Sequence, residues 1–558
     1  MLRRIVIVAA LAAVVAVPAG ASTRDAAQSV EQSVLMPGVT YERQVEFTPH
    51  GPVVLDIVTA PKPDGSLYTL APVLSNNAIV GTQTLTDMEK DVSAGATVVG
   101  VNGDYYAPNP GKPSGILMRA GALDSAPAGN RSSLGIAADG TLTVGVVAFD
   151  GTWRGTGQRR QLDLNAAPVK GHTTLYTSAW GSATPAEAGV VADVIQTLPA
   201  LVPNQVATGV VTQVLTAGPV PIPPGGAVLV ARGGQAPHLT AEAPVGTTIE
   251  IRPTLTPNWS GMVSAIGGGP LLVSGGKAVF RAREAFSDSA LAQRTARSAV
   301  GQLPDGRILL VTVEGGGFAY SAGMTNYELA VELADLGART AMALGSGTSA
   351  AMAFDGTPLT QAAEQPIADA LVLSYTGVYA SPPSSPTLSP NGDGIDDVET
   401  FTYKVVRPSQ VTASVIGPRA SQVLAQTAQQ PGTYSLQWDG KGAAEGDWRF
   451  SVSATDDLGR TTTADRPFSL NDTLGALQVS RTASGLTATF QLAHPATVTV
   501  TLEKPNGIVI ARLLSKKLDA GPQAATWSGS GTGDQVRVVA TNAIGKATLL
   551  SPVAARRT

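Results

Sequence analysis

The fold of the N-terminal region is indicated by the stretch 308–349, which reads ILLVTVEGGGFAYSAGMTNYELAVELADLGARTAMALGSGTS. It opens with an apolar run of leucine and β-branched residues that ends at Glu314, a pattern typical of a buried strand. A second apolar run ends in the loop Gly345–Ser349. Between the two runs, Thr325 and Glu328 form a capping-box pattern at the start of an amphipathic helix. The stretch therefore predicts a strand, a helix and a second strand.

This order predicts that the two strands are parallel neighbours joined by a right-handed crossover. Parallel strands share the edge at which their carboxyl ends emerge, so we expect Glu314 and the loop Gly345–Ser349 to lie side by side. Ligands of open α/β sheets usually bind at such an edge. A third apolar run ends in Asn102-Gly103-Asp104-Tyr105-Tyr106, which places polar groups at another strand end. Ordinary glycine turns are the alternative interpretation, but the coincidence of three such ends favours a site.

Composition narrows the classes of protein that this chain can represent. Its 558 residues exceed the size at which a single core stops growing, so several domains are expected. The net charge of −4, with only 14% charged residues, argues against a nucleic-acid-binding protein. Because the chain has no cysteine, thiolate catalysis, disulfides and cysteine-ligated metals are excluded. The 61 glycines and 39 prolines favour many short strands joined by turns.

The N-terminus has the pattern of an export signal. Arg3 and Arg4 precede an apolar run, and Ala19-Gly20-Ala21 supplies the small residues of a cleavage site. The run is shorter than the about 20 residues of a membrane span, and an uncleaved N-terminal anchor is the alternative. We therefore predict a signal peptide over 1–21 and a loose leader over 22–40. The mature protein is expected to be bacterial and secreted or associated with the cell surface, with no stable membrane span after signal cleavage.

The rest of the chain divides into one large region and two smaller ones. Strand and helix patterns over 41–378 predict an α+β or mixed α/β domain of catalytic type. A proline- and serine-rich linker is predicted over 379–388. After it, alternating strands recur in two copies marked by Trp438-Asp439-Gly440 and Trp527-Ser528-Gly529, at the spacing of small β-sandwiches. The two predicted all-β, immunoglobulin-like sandwiches span 389–470 and 471–558.

The start of the first sandwich, SPNGDGIDD at 389–397, resembles half of a calcium-binding loop. Oxygen donors at alternate positions and glycine in the sharp turn suit a hard cation. In a complete calcium-binding loop a bidentate glutamate occupies the twelfth position, but this chain has Thr400 there. A polar turn is therefore the alternative interpretation. The candidate calcium ligands are Asn391, Asp393, Asp396 and Asp397.

A series of motifs follows in order through the large region. They are VNGDYY (101–106), PSGIL (113–117), LYTSAWG (175–181), AIGGGPLL (265–272), RSAVG (297–301), VTVEG (311–315), SAGMTNYELA (321–330) and GSGTS (345–349). In this order and spacing the region resembles the phosphodiester glycosidase family, best over 94–378. The segment 389–470 resembles the FlgD-type immunoglobulin-like domain of exported bacterial proteins, and 471–558 is a weaker match.

The resemblance implies hydrolysis of a sugar-1-phosphodiester, of the N-acetylglucosamine-1-phosphodiester kind, at the anomeric carbon, with no cofactor required. It implies catalytic carboxylates at Asp104 and Glu314 and a bidentate phosphate clamp at Arg297. The expected partner is a glycan or cell-wall sugar phosphodiester. The other candidate substrate-binding residues are Asn102, Gly315, Thr325, Ser346, Gly347 and Ser349.

One position departs from the family pattern. Where the family reads Asp-Gly-Gly-Gly-Ser, this chain reads GSGTS at 345–349, so the acid is replaced by Gly345. Loss of a carboxylate that acts in the transition state lowers the rate steeply. Two hypotheses stay open: an exported phosphodiester glycosidase, or a non-catalytic glycan-binding or adhesive protein with a degenerate domain. The retained motif residues favour the first, and the lost acid favours the second.

Overall fold

The computed structural model describes residues 29–280, 283–317, 319–392, 394–482, 485–529 and 535–553. The chain is multidomain and mostly β, with several sheets and one closed barrel. Within those residues the α-helices are Leu85–Ser93, Ala236–Glu242, Asp288–Ala292 and Asn326–Asp335, with 3₁₀ turns at Ser75–Asn77, Gly233–Gln235 and Gly347–Ser349. No described helix has the length and apolar character needed to span a bilayer. The predicted signal peptide lies outside the described residues.

The central sheet of the large region contains both strands of the stretch 308–349. In sheet order its strands are Ser29–Met36, Val39–Thr48, Gly51–Ala60, Ile308–Val313, Arg297–Gln302, Thr340–Ser346, Leu271–Ser274 and Lys277–Ala278. All neighbouring pairs are antiparallel. The prediction of parallel neighbours is therefore wrong. The two strands run in the same direction, but Arg297–Gln302 lies between them and pairs with both.

The inserted strand changes which residues reach the shared edge. Because it runs in the opposite direction, its first residue, Arg297, lies where the other two strands end. Arg297 is in register with Val313 on one side and Ser346 on the other. Glu314 and the loop Gly345–Ser349 therefore lie at one edge of the sheet, as expected, with an arginine between them.

Two further antiparallel sheets complete the core of the large region. One contains, in sheet order, Thr357–Pro358, Met352–Phe354, Thr97–Asn102, Asp369–Tyr375 and Tyr68–Leu74. The other contains Leu142–Val146, Ser132–Ala137, Met262–Gly267, Leu117–Arg119 and Ala122–Ser125. Side chains of all three sheets, such as Val99, Leu134 and Leu310, share one hydrophobic core. Strand Thr97–Asn102 is buried along its whole length, so its polar end lies inside the domain.

The helix predicted after Thr325 is confirmed. The Thr325 hydroxyl accepts from the backbone N–H of Glu328 at 3.2 Å, and the Glu328 carboxylate accepts from the Thr325 N–H at 2.9 Å. Leu329 and Leu333 are fully buried and pack on the central sheet. The helix ends just before Gly337, whose φ of 90° suits a glycine stop. Since such helices are few, the predicted mixed α/β region is a mainly antiparallel β structure.

A closed barrel occupies the middle of the large region. Around the barrel its strands are Ala148–Arg154, Arg160–Leu164, Thr173–Thr177, Ala227–Arg232, Val190–Ile195, Ala207–Leu215 and Thr248–Thr256. Its interior is filled by apolar side chains that include Trp153 and Leu229. Two short hairpins complete the region: Tyr106–Ala107 with Lys112–Pro113, and Gly315–Gly317 with Ser321–Ala322.

Two units of paired sheets follow, each with its own core. The first unit has a three-stranded sheet, Tyr379–Ala380, Glu399–Val405 and Gly432–Trp438. It packs on a five-stranded sheet, Thr387–Leu388, Thr461–Leu470, Gly446–Asp456, Ser409–Ile416 and Ser421–Gln429. The second unit has a three-stranded sheet, Leu474–Thr482, Gly485–Leu492 and Gly521–Trp527. Its other sheet has four strands, Val509–Leu518, Ala496–Glu503, Gln535–Thr541 and Lys546–Pro552. In each unit, aromatic and aliphatic side chains of the two sheets pack against each other.

The segments predicted as leader and linker contain paired strands. Ser29–Met36, within the predicted leader, is the edge strand of the central sheet. Within the predicted linker, Tyr379–Ala380 pairs with Glu399–Val405, and Thr387–Leu388 pairs in parallel with Thr461–Leu470. The described part of the leader, from Ser29, and parts of the linker therefore form main-chain hydrogen bonds with strands, although the composition of both segments is typical of irregular chain.

Candidate functional site

A cleft of about 510 Å³ opens at the edge where the strand Ile308–Val313 ends. One part of its lining is the segment Glu314–Gly317, and another is Gly347 and Thr348 of the loop. Arg294 and its neighbours, which precede the strand of Arg297, also line it. The volume lies in the range of small-ligand sites, about 300–1,000 Å³. Three predicted site residues, Glu314, Gly315 and Gly347, therefore border one cavity.

Glu314 is the acid that borders this cleft, and two donors orient it. Its Oε1 accepts from Nη2 of Arg43 at 2.8 Å, and its Oε2 accepts from the backbone N–H of Gln361 at 3.0 Å. Only 1% of its side chain is exposed. The same Arg43 nitrogen donates to the hydroxyl of Tyr320. Glu314 is thus a fixed carboxylate at the base of the cleft.

Arg43 joins Glu314 to a second buried acid, Asp56. Its Nη1 donates to Oδ1 of Asp56 at 2.9 Å, and that oxygen also accepts from the Tyr41 hydroxyl at 2.6 Å. Burial raises the pKa of Asp56 to about 7, although Arg43 opposes the rise. Neither Arg43 nor Asp56 was found from the sequence. The available signal was the alternation of Tyr41 and Arg43, which puts both on one face of a strand.

Arg297 lies beside the cleft as a buried cation. Its Nε donates to the carbonyl of Met324 at 3.1 Å, and its Nη2 donates to those of Ala290 and Gln293 at 3.0 and 2.6 Å. Burial lowers the pKa of the guanidinium. Among the described residues, no carboxylate forms an ion pair with Arg297 and no acceptor is found for its Nη1. Carbonyl groups therefore hold the arginine in place, and no described carboxylate balances its charge.

The carboxylate of Asp104 is fully enclosed. Its Oδ1 accepts from the N–H of Tyr105 at 2.7 Å, and both oxygens accept from Nη2 of Arg131 at 3.2 and 3.3 Å. Burial raises the pKa of Asp104 to about 6, against the opposing effect of Arg131. A Cβ atom at Gly267 would lie 2.3 Å from Oδ2, and one at Gly115 would lie 2.8 Å from it. Glycines from two sequence motifs thus make room for this acid.

Arg131 was not found from the sequence, because it stands in an ordinary turn with no motif around it. Its guanidinium carbon lies 5.2 Å from the ring centre of Tyr105 and 5.8 Å from that of Phe286, within cation–π range. The ring of Tyr105 is also near Ser346 and Arg297. Burial raises the pKa of Tyr105, while a hydrogen bond with Ser346 and the charge of Arg297 oppose the rise. The aromatic ring therefore lies within reach of two arginines.

Asn102 holds the loop that follows the third strand. Its Nδ2 donates to the carbonyl of Gly345 at 2.9 Å, and its Oδ1 accepts from the N–H of Ala351 at 3.1 Å. A Cβ atom at Gly345 would lie 2.9 Å from Nδ2 of Asn102 and 3.1 Å from the carbonyl oxygen of Asp104. At the position where the family pattern has an acid, this chain therefore has no space for a side chain. Both polar atoms of the Asn102 side-chain amide are hydrogen-bonded to the backbone of this loop and of Ala351.

The remaining predicted binding residues have structural contacts. The hydroxyl of Thr325 caps its helix. The hydroxyl of Ser349 donates to a loop carbonyl at 3.1 Å. Gly347 has a φ of 75°, and its N–H donates to the carbonyl of Ala296 at 2.9 Å. A Cβ atom at Gly315 would lie 2.9 Å from the nitrogen of Ala296. Gly315 is thus needed for the close approach of the hairpin to Ala296, and Gly347 is needed for its left-handed backbone conformation.

Asp369 is a further buried acid, and no sequence pattern indicated it. Its Oδ1 accepts from the backbone N–H of Asp104 at 2.9 Å, and its Oδ2 has no partner among the described residues. Burial, and then the neighbouring charge of Asp104, raise its pKa well above the ordinary range. A Cβ atom at Gly103 would lie 2.4 Å from Oδ1. Asp369 therefore supports the turn that carries Asp104.

In the predicted calcium loop, Asp393 lies outside the described residues. The two oxygens of Asp397 accept from the N–H groups of Gly392 and Gly394 at 2.7 and 2.6 Å. Nδ2 of Asn391 donates to the carbonyl of Thr548 in the last unit at 2.9 Å. Two candidate ligands thus already have protein partners, and the calcium site stays a prediction.

Part of the region that contains these features is similar to a known glycosidase family. Residues 202–374 match the family model of phosphodiester glycosidases. The matched range includes Arg297, Glu314 and the loop Gly345–Ser349, and it begins after Asp104. No curated protein sequence matches the chain.

Solved structures show likeness of different degrees. A hypothetical protein from Synechocystis is 27% identical with a TM-score of 0.52, over 63% of this chain and 65% of that chain. The match thus spans just under two thirds of that relative. A putative exported protein from Burkholderia pseudomallei is 21% identical with a TM-score of 0.47, over 58% of this chain and 74% of its own. The catalytic domain of zebrafish N-acetylglucosamine-1-phosphodiester alpha-N-acetylglucosaminidase is 14% identical with a TM-score of 0.33. This match covers 64% of this chain and 86% of that chain.

Proposed function

We propose that this protein is an exported bacterial hydrolase that cleaves a sugar-1-phosphodiester, of the N-acetylglucosamine-1-phosphodiester kind, at the anomeric carbon. The observation that carries the proposal is the buried Arg297, which has no ion-pair partner among the described residues. It lies at the sheet edge that leads into a cleft bordered by Glu314. A phosphodiester supplies a negative charge to such an arginine, and cleavage of a glycosidic bond requires a carboxylate near the anomeric carbon.

The two predicted catalytic acids are assigned different roles. Of the described residues that line the cleft, Glu314 is the only acid, so it is assigned the role of nucleophile or base at the anomeric carbon. Asp104 is enclosed and contacts Arg131, so it is assigned the positioning of that arginine. The departing phosphate monoester carries negative charge, which arginines stabilise without a proton donor. This chemistry is compatible with a chain that lacks an acid at Gly345.

The second candidate function is glycan binding without turnover. Gly345 favours it, because the family acid is absent and neighbouring atoms fill the space of a side chain there. In that case Arg297 would bind a glycan phosphate, and Glu314 would only orient the hydrophilic groups of the sugar. The two functions differ in whether free sugar is released.

The test uses the mature chain with an N-acetylglucosamine-1-phosphodiester and measures released sugar and calorimetric binding. Arg297→Met is expected to weaken binding, and Glu314→Gln is expected to abolish release while retaining binding. The matched control is Arg307→Met, since Arg307 is exposed at the opposite end of the neighbouring strand. Binding without release by the native chain would favour the second function. Neither binding nor release would contradict both for this sugar.

The setting of the domain is also part of the proposal. The signal pattern over 1–21 supports secretion or a cell-surface location. The paired sheets after Tyr379 support two immunoglobulin-like modules, which we propose act as spacers or adhesive units. The FlgD type of the first module is proposed from the sequence resemblance of 389–470. Cell fractionation of the producing bacterium checks the location, and recovery of the chain only from the cytoplasm would contradict it.

A further inference from the structure

Three metal-ligating side chains meet at the junction of the two C-terminal units. Glu445 comes from the loop before strand Gly446–Asp456 of the first unit, and Asp472 comes from the connection between the units. His494 follows strand Gly485–Leu492 of the second unit. One ligand atom of each side chain lies within 4.8 Å of the other two. The tertiary structure thus gathers an imidazole and two carboxylates from three separate segments.

Glu445 is the centre of this cluster. Its Oε2 lies 2.5 Å from Nε2 of His494, and its Oε1 accepts from the backbone N–H of Asp472 at 2.8 Å. The ligand oxygens of Glu445 and Asp472 lie within 4.8 Å of each other. Two carboxylates this close repel each other unless a proton or a cation lies between them. An imidazole nitrogen beside them adds the donor that transition metals prefer.

Buried polar contacts fix the backbone that carries the cluster. The carbonyl of Thr473 accepts from the N–H of Ala493 at 2.8 Å, which joins the neighbours of Asp472 and His494. The hydroxyl of Thr473 accepts from Nδ2 of Asn542 at 2.8 Å. Thr473 is 1% exposed. The ligand positions are therefore largely set before a metal arrives, which lowers the ordering cost of binding.

We propose that Glu445, Asp472 and His494 bind a divalent transition-metal ion of the zinc type, which fastens the two C-terminal units to each other. One imidazole nitrogen and two carboxylate oxygens form a donor set that zinc accepts, with water in the remaining position. Calcium and magnesium prefer oxygen ligands alone, so the cluster discriminates against them. Because the ligands come from both units and their connection, the ion restrains the units relative to each other. This role is independent of the proposed hydrolase.

The test uses the full mature chain and Zn²⁺ alone as the probe. Calorimetry is expected to show saturable binding of one ion, and thermal unfolding is expected to shift upward with Zn²⁺. His494→Ala and Asp472→Asn are each expected to weaken binding by at least about tenfold. Both residues are exposed, so these variants retain the fold. The matched control is His238→Ala, because His238 is exposed and lies 3.9 Å from a single acid, Glu242.

The absence of saturable Zn²⁺ binding in the native chain would overturn the proposal. Equal affinity in the His494→Ala and Asp472→Asn variants would do so as well. Loss of binding in Asp397→Asn, with His494→Ala unaffected, would place the ion in the loop 389–397 instead. Tighter binding of Ca²⁺ than of Zn²⁺ at the cluster would contradict the assigned metal class.

Discussion

Nη2 of Arg131 donates to both carboxylate oxygens of Asp104, and this contact links an enclosed acid to a partly exposed cation. The side chain of Asp104 is 0% exposed, whereas that of Arg131 is 13% exposed. Under the proposed function, Asp104 acts on a ligand through the arginine that it orients. Since burial raises the pKa of Asp104 to about 6, acid weakens this contact near that pH by protonating the carboxylate.

The first prediction concerns this pair. Asp104→Asn removes the ion pair, so we expect KM for the phosphodiester to rise by roughly tenfold, with a smaller change in kcat. In the native protein KM is expected to rise as the pH falls below about 6, and the variant is expected to lack that rise. Steady-state kinetics between pH 5 and 8 check both. A large loss of kcat at unchanged KM would instead identify Asp104 as a catalytic acid.

The second prediction concerns Arg43. Arg43→Met leaves Asp56 and Glu314 buried without their cation, so we expect a loss of about 3–5 kcal/mol in the free energy of unfolding and a loss of activity. The control is Arg159→Met, which breaks an exposed pair with Glu250 and is expected to cost less than about 1 kcal/mol. Denaturant unfolding and sugar release measure the two effects. Equal destabilisation by both variants would contradict the role of Arg43.

The third prediction concerns the loop position at which the family acid is missing. Gly345→Ala places a Cβ atom 2.9 Å from Nδ2 of Asn102, so we expect the free energy of unfolding to fall by about 1–3 kcal/mol. Gly145→Ala is the control, because no atom lies within 4 Å of its Cβ position. Gly345→Asp is expected to destabilise at least as much and not to raise activity. A stable and more active Gly345→Asp variant would show that the loop can accept the acid.

The fourth prediction concerns Asp193 in the barrel. It shares a strand face with Val191 and Ile195 of the barrel core, and neither of its carboxylate oxygens has a partner among the described residues. Burial raises its pKa to about 7. The folded state therefore holds a proton that the unfolded state releases at lower pH, and the free energy of unfolding falls as the pH rises from about 4 to 7.

Asp193→Asn removes that titration, so we expect the free energy of unfolding of the variant to stay nearly constant over this pH range. The decline that it lacks is on the order of 3 kcal/mol between about pH 4 and neutral pH. Thermal unfolding between pH 4 and 8 provides the measurement. Glu250→Gln is the matched control, since Glu250 lies on another barrel strand and is 40% exposed. An unchanged pH dependence in Asp193→Asn would contradict the burial of a lone carboxyl group.

Local patterns predicted the parts of the site that depend on neighbours in the sequence. The capping box of Thr325 and the strand that ends at Glu314 follow from residues a few positions apart, and the structure confirms both. The parallel pairing was wrong, because the strand that separates the two precedes both in the chain and carries Arg297. Nothing in a strand–helix–strand pattern indicates that a third strand will insert between its members.

The sequence by itself determined a multidomain chain rich in short strands and without cysteine chemistry, and it placed Arg297, Glu314 and the glycine loop in one neighbourhood; that the large region is mostly β was shown by the structure. Only the tertiary structure decided what surrounds them: Arg43 on Glu314, Arg131 on Asp104, and Asn102 in the space beside Gly345. The physical reason is the distance along the chain over which each kind of interaction acts. Backbone propensity and side-chain alternation act over a few residues, whereas ion pairs and close packing join atoms that the fold brings together from distant segments.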